Sequence, residues 1–199
     1  QDQFKILKGR KSELVNANDT VMLRLKAGLN TMLMLDVVKN PPDFMSTDYL
    51  DEYVYRMTDI VVEDGRDNYA IEFVPRPGAS PSAIYSGRII IDINDMAFRW
   101  IEFHVSPEYL GQATNLYILR KPSNLTVKML KANYKVAFRQ TGNKYYLHMI
   151  QCETGFRIRK RKQLSGTVYN TKLEMAVTGI DTVDVSRFPA CADRRWPAP

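Results

Sequence analysis

IYSGRIIIDINDMAFRWIEFHV, residues 84–105, breaks at Asn94-Asp95 into two runs rich in Ile, Phe and Trp, the pattern of a β-hairpin. In the second run Ile101, Phe103 and Val105 alternate onto one face, with Arg99 at the start of that face. Phe98, Trp100, Glu102 and His104 take the other. One side is dry and the other mixed, as in an antiparallel sheet that buries a single face. Nothing on the hairpin is reactive, so it is scaffold.

Upstream, Tyr53–Val62 and Asn68–Val74 flank Glu63-Asp64-Gly65-Arg66-Asp67, and Asp-Gly is a strong hairpin signal. Earlier still, Phe4–Gly9 and Thr20–Lys26 alternate as short strands. Gly28–Lys39 is apolar nearly all round, which predicts a buried helix stopped by Asn40-Pro41-Pro42. Downstream, Ser106-Pro107-Glu108 supplies a cap, a first-turn proline and an acid, predicting a helix to about Leu116. Ala132, Tyr134, Val136 and Phe138 then alternate along a strand. Lys144–Cys152, Phe156–Lys162 and a last strand carrying Tyr169 to Val177 follow across short turns. Nine or ten strands and two helices predict an α+β fold: a strongly curved antiparallel sheet, a half-barrel, with about two helices on its concave side. Residues 1–182 are expected to form this single domain, and 183–199, rich in Pro, a disordered tail or remnant.

The chain has 199 residues, 45% hydrophobic and 25% charged, enough for one domain with a real core. No apolar run approaches the ~20 residues of a membrane-spanning helix. It opens at Gln1 without a signal segment, which suggests a fragment or processed form. Charge is polarised: residues 1–100 carry 12 basic and 15 acidic side chains, and residues 101–199 carry 16 and 7. Such a molecule can lean its C-terminal half on an anionic surface. Cys152 and Cys191 would be able to pair in an oxidising compartment, but with one in a strand and the other in the tail two free thiols are the favoured expectation. His104 and His148 lack metal-ligand spacing, there is no Gly-x-Ser-x-Gly elbow, and Asp51, Glu52 and Asp59 read as solvated acids. No catalytic residue, metal or cofactor is expected, and an enzyme using His104 or His148 ranks last. The sharpest surface signal is FRIRKRK, in which Arg157, Arg159 and Arg161 alternate onto one strand face. It reads as a charged sheet edge, or as a contact for anionic membrane lipid headgroups or polysaccharide, ahead of nucleic acid, for which no motif is present.

The runs KILKGRKSE (5–13), LMLDVVKNPPDFMSTDYLDEYVY (33–55), YSGRIIIDINDMAFRWIEFHVSPEYL (85–110) and RKPSNLTVKMLKANYKVAFR (120–139) resemble one family. These are carboxypeptidase-like regulatory-domain proteins of the Gram-negative cell envelope. The likeness continues through KYYLHMIQCETGFRIRKRK and TKLEMAVTGIDT. It concerns the domain after the regulatory-like module, without peptidase residues, and implies a periplasmic or outer-membrane-associated location. The Y-x-G-x-I-x-I-D hairpin is also similar to the lipoprotein-carrier (LolA/LolB-like) superfamily, whose half-barrel cups an apolar ligand under a helical lid.

Together these readings lead to a non-catalytic envelope domain that binds a hydrophobic or amphiphilic ligand, or an envelope protein partner. A cavity for an acyl chain is expected between helix Leu29–Val38 and the sheet, lined by Met32, Leu33, Ile101, Phe103 and Phe138. The competing expectation is a structural module whose core is filled by those same residues. The oligomeric state is left open.

Overall fold

The two residues Asp64 and Gly65 both adopt left-handed backbone angles, φ 50° and 72°, the geometry of the tight hairpin turn their sequence predicts. They join β2 (Tyr53–Glu63) to β3 (Arg66–Pro75). The computed structural model describes residues 8, 24–25, 29–163, 165–183 and 185. The chain divides into a unit spanning Met22–Thr178 and a second formed by Gln1–Val21 with Gly179–Pro199. Most of the second unit lies outside the described residues, as do Cys191 and, apart from Lys8, the expected strand Phe4–Gly9.

Within Met22–Thr178 the chain continues through β4 (Tyr85–Asp92), β5 (Phe98–Val105), α2 (Leu110–Tyr117), β6 (Ile118–Arg120), β7 (Leu125–Thr141), β8 (Lys144–Lys160) and β9 (Thr167–Ala176). β1 (Arg24–Leu25) pairs only with β6, and α1 covers Leu29–Leu33. The other strands form one antiparallel sheet in the order β2-β3-β4-β5-β7-β8-β9. Sequence neighbours are sheet neighbours, with α2 and β6 inserted between β5 and β7. The sheet is open, with β2 and β9 at its edges, and it is not strongly curled. The α+β, antiparallel expectation holds, and the strong curvature of a half-barrel is corrected: the seven strands form an open sheet without strong curl, and β2 and β9 do not pair among the described residues.

Two more expectations are corrected. The helix predicted over Gly28–Lys39 stops at Leu33, and turns with i to i−3 bonds follow, Leu35 N–H to Met32 O and Asp36 N–H to Leu33 O. A longer apolar helix would have to be buried all round, and here Met34 and Val38 face solvent. The strands predicted separately over 144–152 and 156–162 are the single β8. In β5 the register slips between Trp100 and Phe98, so Arg99 bulges and Phe98 comes opposite Ile91. That moves Phe98 onto the face of Ile101, the reverse of simple alternation.

On the apolar face Phe73, Gly87, Phe103, Tyr134, Cys152 and Leu173 lie in register across six strands. A side chain at Gly87 would collide with the Glu102 carbonyl, so the neighbouring ring of Phe103 covers a glycine. Phe44, from a 3₁₀ turn at Asp43–Met45, fills this face. Its ring stacks on Phe73 at 4.3 Å and lies 5.0 Å from Phe103, which stacks on Tyr134 at 4.8 Å. The Tyr55 hydroxyl donates to the Phe44 carbonyl at 2.6 Å, fixing the turn. Farther along, α2 docks at a bulge in β7, where Thr114 Oγ1 accepts the Met129 N–H at 3.1 Å. Ser106, expected to cap this helix, makes no capping side-chain bond and shares its hydroxyl with Ser86 instead.

The opposite end of the sheet is tied by Arg66. Its guanidinium bonds Asp92 (3.1 Å), Asp95 (2.8 Å), the Tyr145 hydroxyl (3.1 Å) and Gln140 (2.8 Å), joining three hairpins. Asp92 is fully buried and also accepts the backbone N–H groups of Asn94 and Asp95.

Replacing Phe44 with Ala should cost about 3–5 kcal/mol in urea unfolding, the range for an aromatic removed from a filled core. Asp92 provides a second check. The backbone N–H of Asp95, then Arg66 and Asn94, hold its carboxyl below the ordinary 3.8 despite burial. The folded form thus binds this proton less tightly than the unfolded chain. Its contribution is present above about pH 4 and is lost as pH falls through the depressed value. Asp92→Ala should cost about 2–3 kcal/mol at pH 7, and melts at pH 7 and pH 3 should show that gap shrinking in acid.

Candidate binding groove on the polar face

Strand alternation sends Glu72, Arg88, Glu102 and Lys135 to the face opposite Phe103. Their register continues to Arg56 on β2, to Gln151 on β8 and to Glu174 on β9, one residue from each of the seven strands. Charges alternate along most of this row, which is how cross-strand pairs stabilise a sheet. Arg56 meets Glu72 at 3.2 Å and Lys135 meets Glu102 at 2.6 Å. Gln151 donates to Glu174 at 2.7 Å, and Lys172 lies 2.9 Å from that carboxylate. This last contact draws the Glu174 carboxyl below its ordinary range and lifts the Lys172 ammonium above its own.

Arg88 is the exception. Both carboxylates flanking it are engaged elsewhere, by Arg56 and Lys135. Among the described residues Arg88 makes no ion pair, and its buried Nε has no partner. A second row beside it runs Ser86, His104, Asn133, Glu153. Between the two rows lies a groove of about 590 Å³ that opens to solvent. Its walls offer hydrogen-bond donors and acceptors of both signs with one uncommitted guanidinium, a surface suited to polar recognition.

Trp100 lies next to Glu102 on the same face of β5, beyond one end of the groove. Its indole N–H donates to Glu63 at 2.7 Å, and Lys135 Nζ stands 4.5 Å over its ring. Arg99 reaches Asp64 at 2.8 Å, so the β2–β3 turn lies over this end of the polar face. Farther along the same face Lys128 is opposite Arg157, and Thr126 opposite Arg159. These cations are exposed. Arg161 lies beyond the end of β8, in the turn that follows, so the expected three-arginine strand face holds two.

Of the expected cavity residues, the strand register puts Ile101, Phe103 and Phe138 on the apolar face. Ile101 and Phe103 are buried in the face filled by Phe44, Met32 and Phe138 are buried, and Leu33 is half-buried. Phe103 lies against Phe44, Tyr85 and Tyr134. His104 is exposed in the groove, and His148 sits at a bulge in β8, where the register skips from Leu147 to Met149. No cluster of three or more His, Cys, Asp or Glu suited to a metal occurs among the described residues. Burial pushes the Cys152 thiol up to about 11, so little of it is thiolate at neutral pH. The Tyr85, Tyr117 and Tyr134 phenols are likewise raised by burial, and Tyr134 donates to Tyr117.

Two parts of this arrangement escape sequence reasoning. Phe44 sits in an aperiodic segment after two prolines. The charge row becomes visible only when opposite signs are compared across aligned hairpins. No protein-family model, curated protein or solved structure matches the chain.

Peptide mapping after iodoacetamide treatment at pH 8 should find Cys152 unmodified in the native protein and modified in urea. Rapid native labelling would mean that this face opens.

Proposed function

We propose that the chain is a non-catalytic binding module of the cell envelope, and that its recognition surface is the polar face of the sheet. One observation carries the reading: Arg88, in the groove, is left without an ionic partner by two flanking carboxylates already engaged. A carboxylate or other anionic oxygen from a ligand would complete that row, with His104 and Asn133 available for hydrogen bonds. Of the two expected ligand classes, this favours an envelope protein partner over an apolar molecule. An acyl chain lodged against Phe103 would have to displace Phe44 from its stack on Phe73. The periplasmic or outer-membrane-facing location rests on the family resemblance.

The test is an NMR titration with short glutamate-bearing peptides, beside a fluorescent fatty-acid probe. Expected are shifts at residues 86–88, 102–104 and 133–135, lost in Arg88→Gln, with no uptake of the probe. Probe uptake with shifts at Phe44 and Phe103 would instead establish the apolar-carrier reading.

A second reading concerns the exposed cations Lys128, Arg157 and Arg159, with Arg161 close by in sequence. They suit the docking of this face on an anionic membrane. At about 1 kcal/mol per cation, Gln at positions 157, 159 and 161 should weaken binding to phosphatidylserine vesicles roughly a hundredfold. Added salt should weaken the parent protein likewise. Equal binding by parent and variant would leave the arginines as protection of the sheet.

A further inference from the structure

β2 is an edge strand eleven residues long, without proline, and no strand occupies its outer side among the described residues. Four of its apolar side chains are open to solvent: Val54 (44% exposed), Met57 (60%), Ile60 (52%) and Val62 (69%). A long apolar edge is a template for a further strand unless something blunts it. The order of its side chains identifies that strand. We propose that β2 pairs with β2 of a second copy, antiparallel about a two-fold axis between Met57 and Thr58, joining two seven-stranded sheets into one.

The argument is the strand's complementarity to itself. Around that axis VYRM (54–57) faces TDIV (58–61) of the other copy read backwards. Val54 then meets Val61, Tyr55 meets Ile60, and Arg56 meets Asp59, each pair occurring twice. Paired residues must lie on the same face of a sheet, and in a regular strand this register would fail, because the members of each pair differ by an odd number of positions. The bulge at Thr58 removes the conflict. The β2–β3 register steps from Met57–Ile71 to Asp59–Ala70, so Val54, Arg56, Asp59 and Val61 all oppose even-numbered β3 residues and share the polar face. Tyr55, Met57, Ile60 and Val62 share the other.

The charges agree with the register. Asp59 accepts only its own neighbour's N–H, from Ile60 at 2.8 Å, and has no ion pair among the described residues. Arg56 reaches Glu72 yet keeps its side chain 75% exposed. The pairing would give Asp59 its cation and extend the charge row across the junction. A two-fold axis perpendicular to the sheet also leaves both grooves on the same side of the assembly. An isologous contact of this kind closes on itself and stops at two copies.

Analytical ultracentrifugation of the full chain, with hydrogen–deuterium exchange at low and high concentration, tests this. A concentration-dependent dimer is expected, with added amide protection confined to residues 53–63. Asp59→Arg and Arg56→Asp should each weaken association about tenfold or more, because like charges then face each other twice. The double exchange should restore it, which separates lost pairing from lost folding. A monomer at all concentrations overturns the proposal. So does protection at β9 in place of β2, or a double exchange no better than the single ones.

Discussion

A carboxylate fully removed from water is tolerable only if cations and N–H groups replace its hydration, and Asp92 meets that condition through Arg66, Asn94 and Asp95. The arrangement has long reach because Arg66 is planar and many-handed. From the β2–β3 hairpin it spans to the β4–β5 turn and on to the β7–β8 hairpin through Gln140 and Tyr145. Hairpins that would otherwise twist independently are held at one end, and the cross-strand rows on both faces depend on that common register.

The two faces then divide the work. On one, six strands contribute a row of aromatic, aliphatic and thiol groups, and a short turn lays Phe44 across it. Its contacts with Tyr53 and Tyr85 are the edge-on arrangement that aromatic quadrupoles favour. Buried hydroxyls at Tyr117 and Tyr134 satisfy each other. On the other face the central row is tied by the Arg56–Glu72 and Glu102–Lys135 ion pairs, and Arg88 between them makes none among the described residues. One face is filled from within, and the solvent-open groove lies on the other.

Much of this was legible in the residues. The Asp64-Gly65 turn, the two strands of 84–105 and the burial of Ile101, Phe103 and Val105 follow from local backbone preference and two-residue alternation. What alternation cannot see is the extra residue in a bulge. Thr58, Arg99 and His148 each sit where a register slips, and each reverses the faces of what lies beyond. Phe98 was misplaced for that reason. Gly28–Lys39 misled differently, since apolar composition says that a segment seeks cover without saying that it is helical. The groove was illegible because its residues come from strands separated by hairpins, and opposite charges mean little until aligned. The site residues expected on the apolar side were read for burial, and burial alone does not distinguish a ligand cavity from a filled core.

The order of the strands also governs how the chain can find this structure. Apart from the β5–β7 junction, every pairing in the large sheet joins segments adjacent along the chain. Closing such short loops costs little conformational entropy, and sheets built from local contacts form faster than those whose strands must wait for distant partners. The junction of β5 with β7 is different, because residues 106–124 must be looped out before Ile101 can meet Val136. α2 lies in that loop and docks on β7 through Thr114. Its eight residues span about 12 Å where extended chain would span about 26 Å, so a helix that contributes nothing to the groove shortens the path between the groove's two halves.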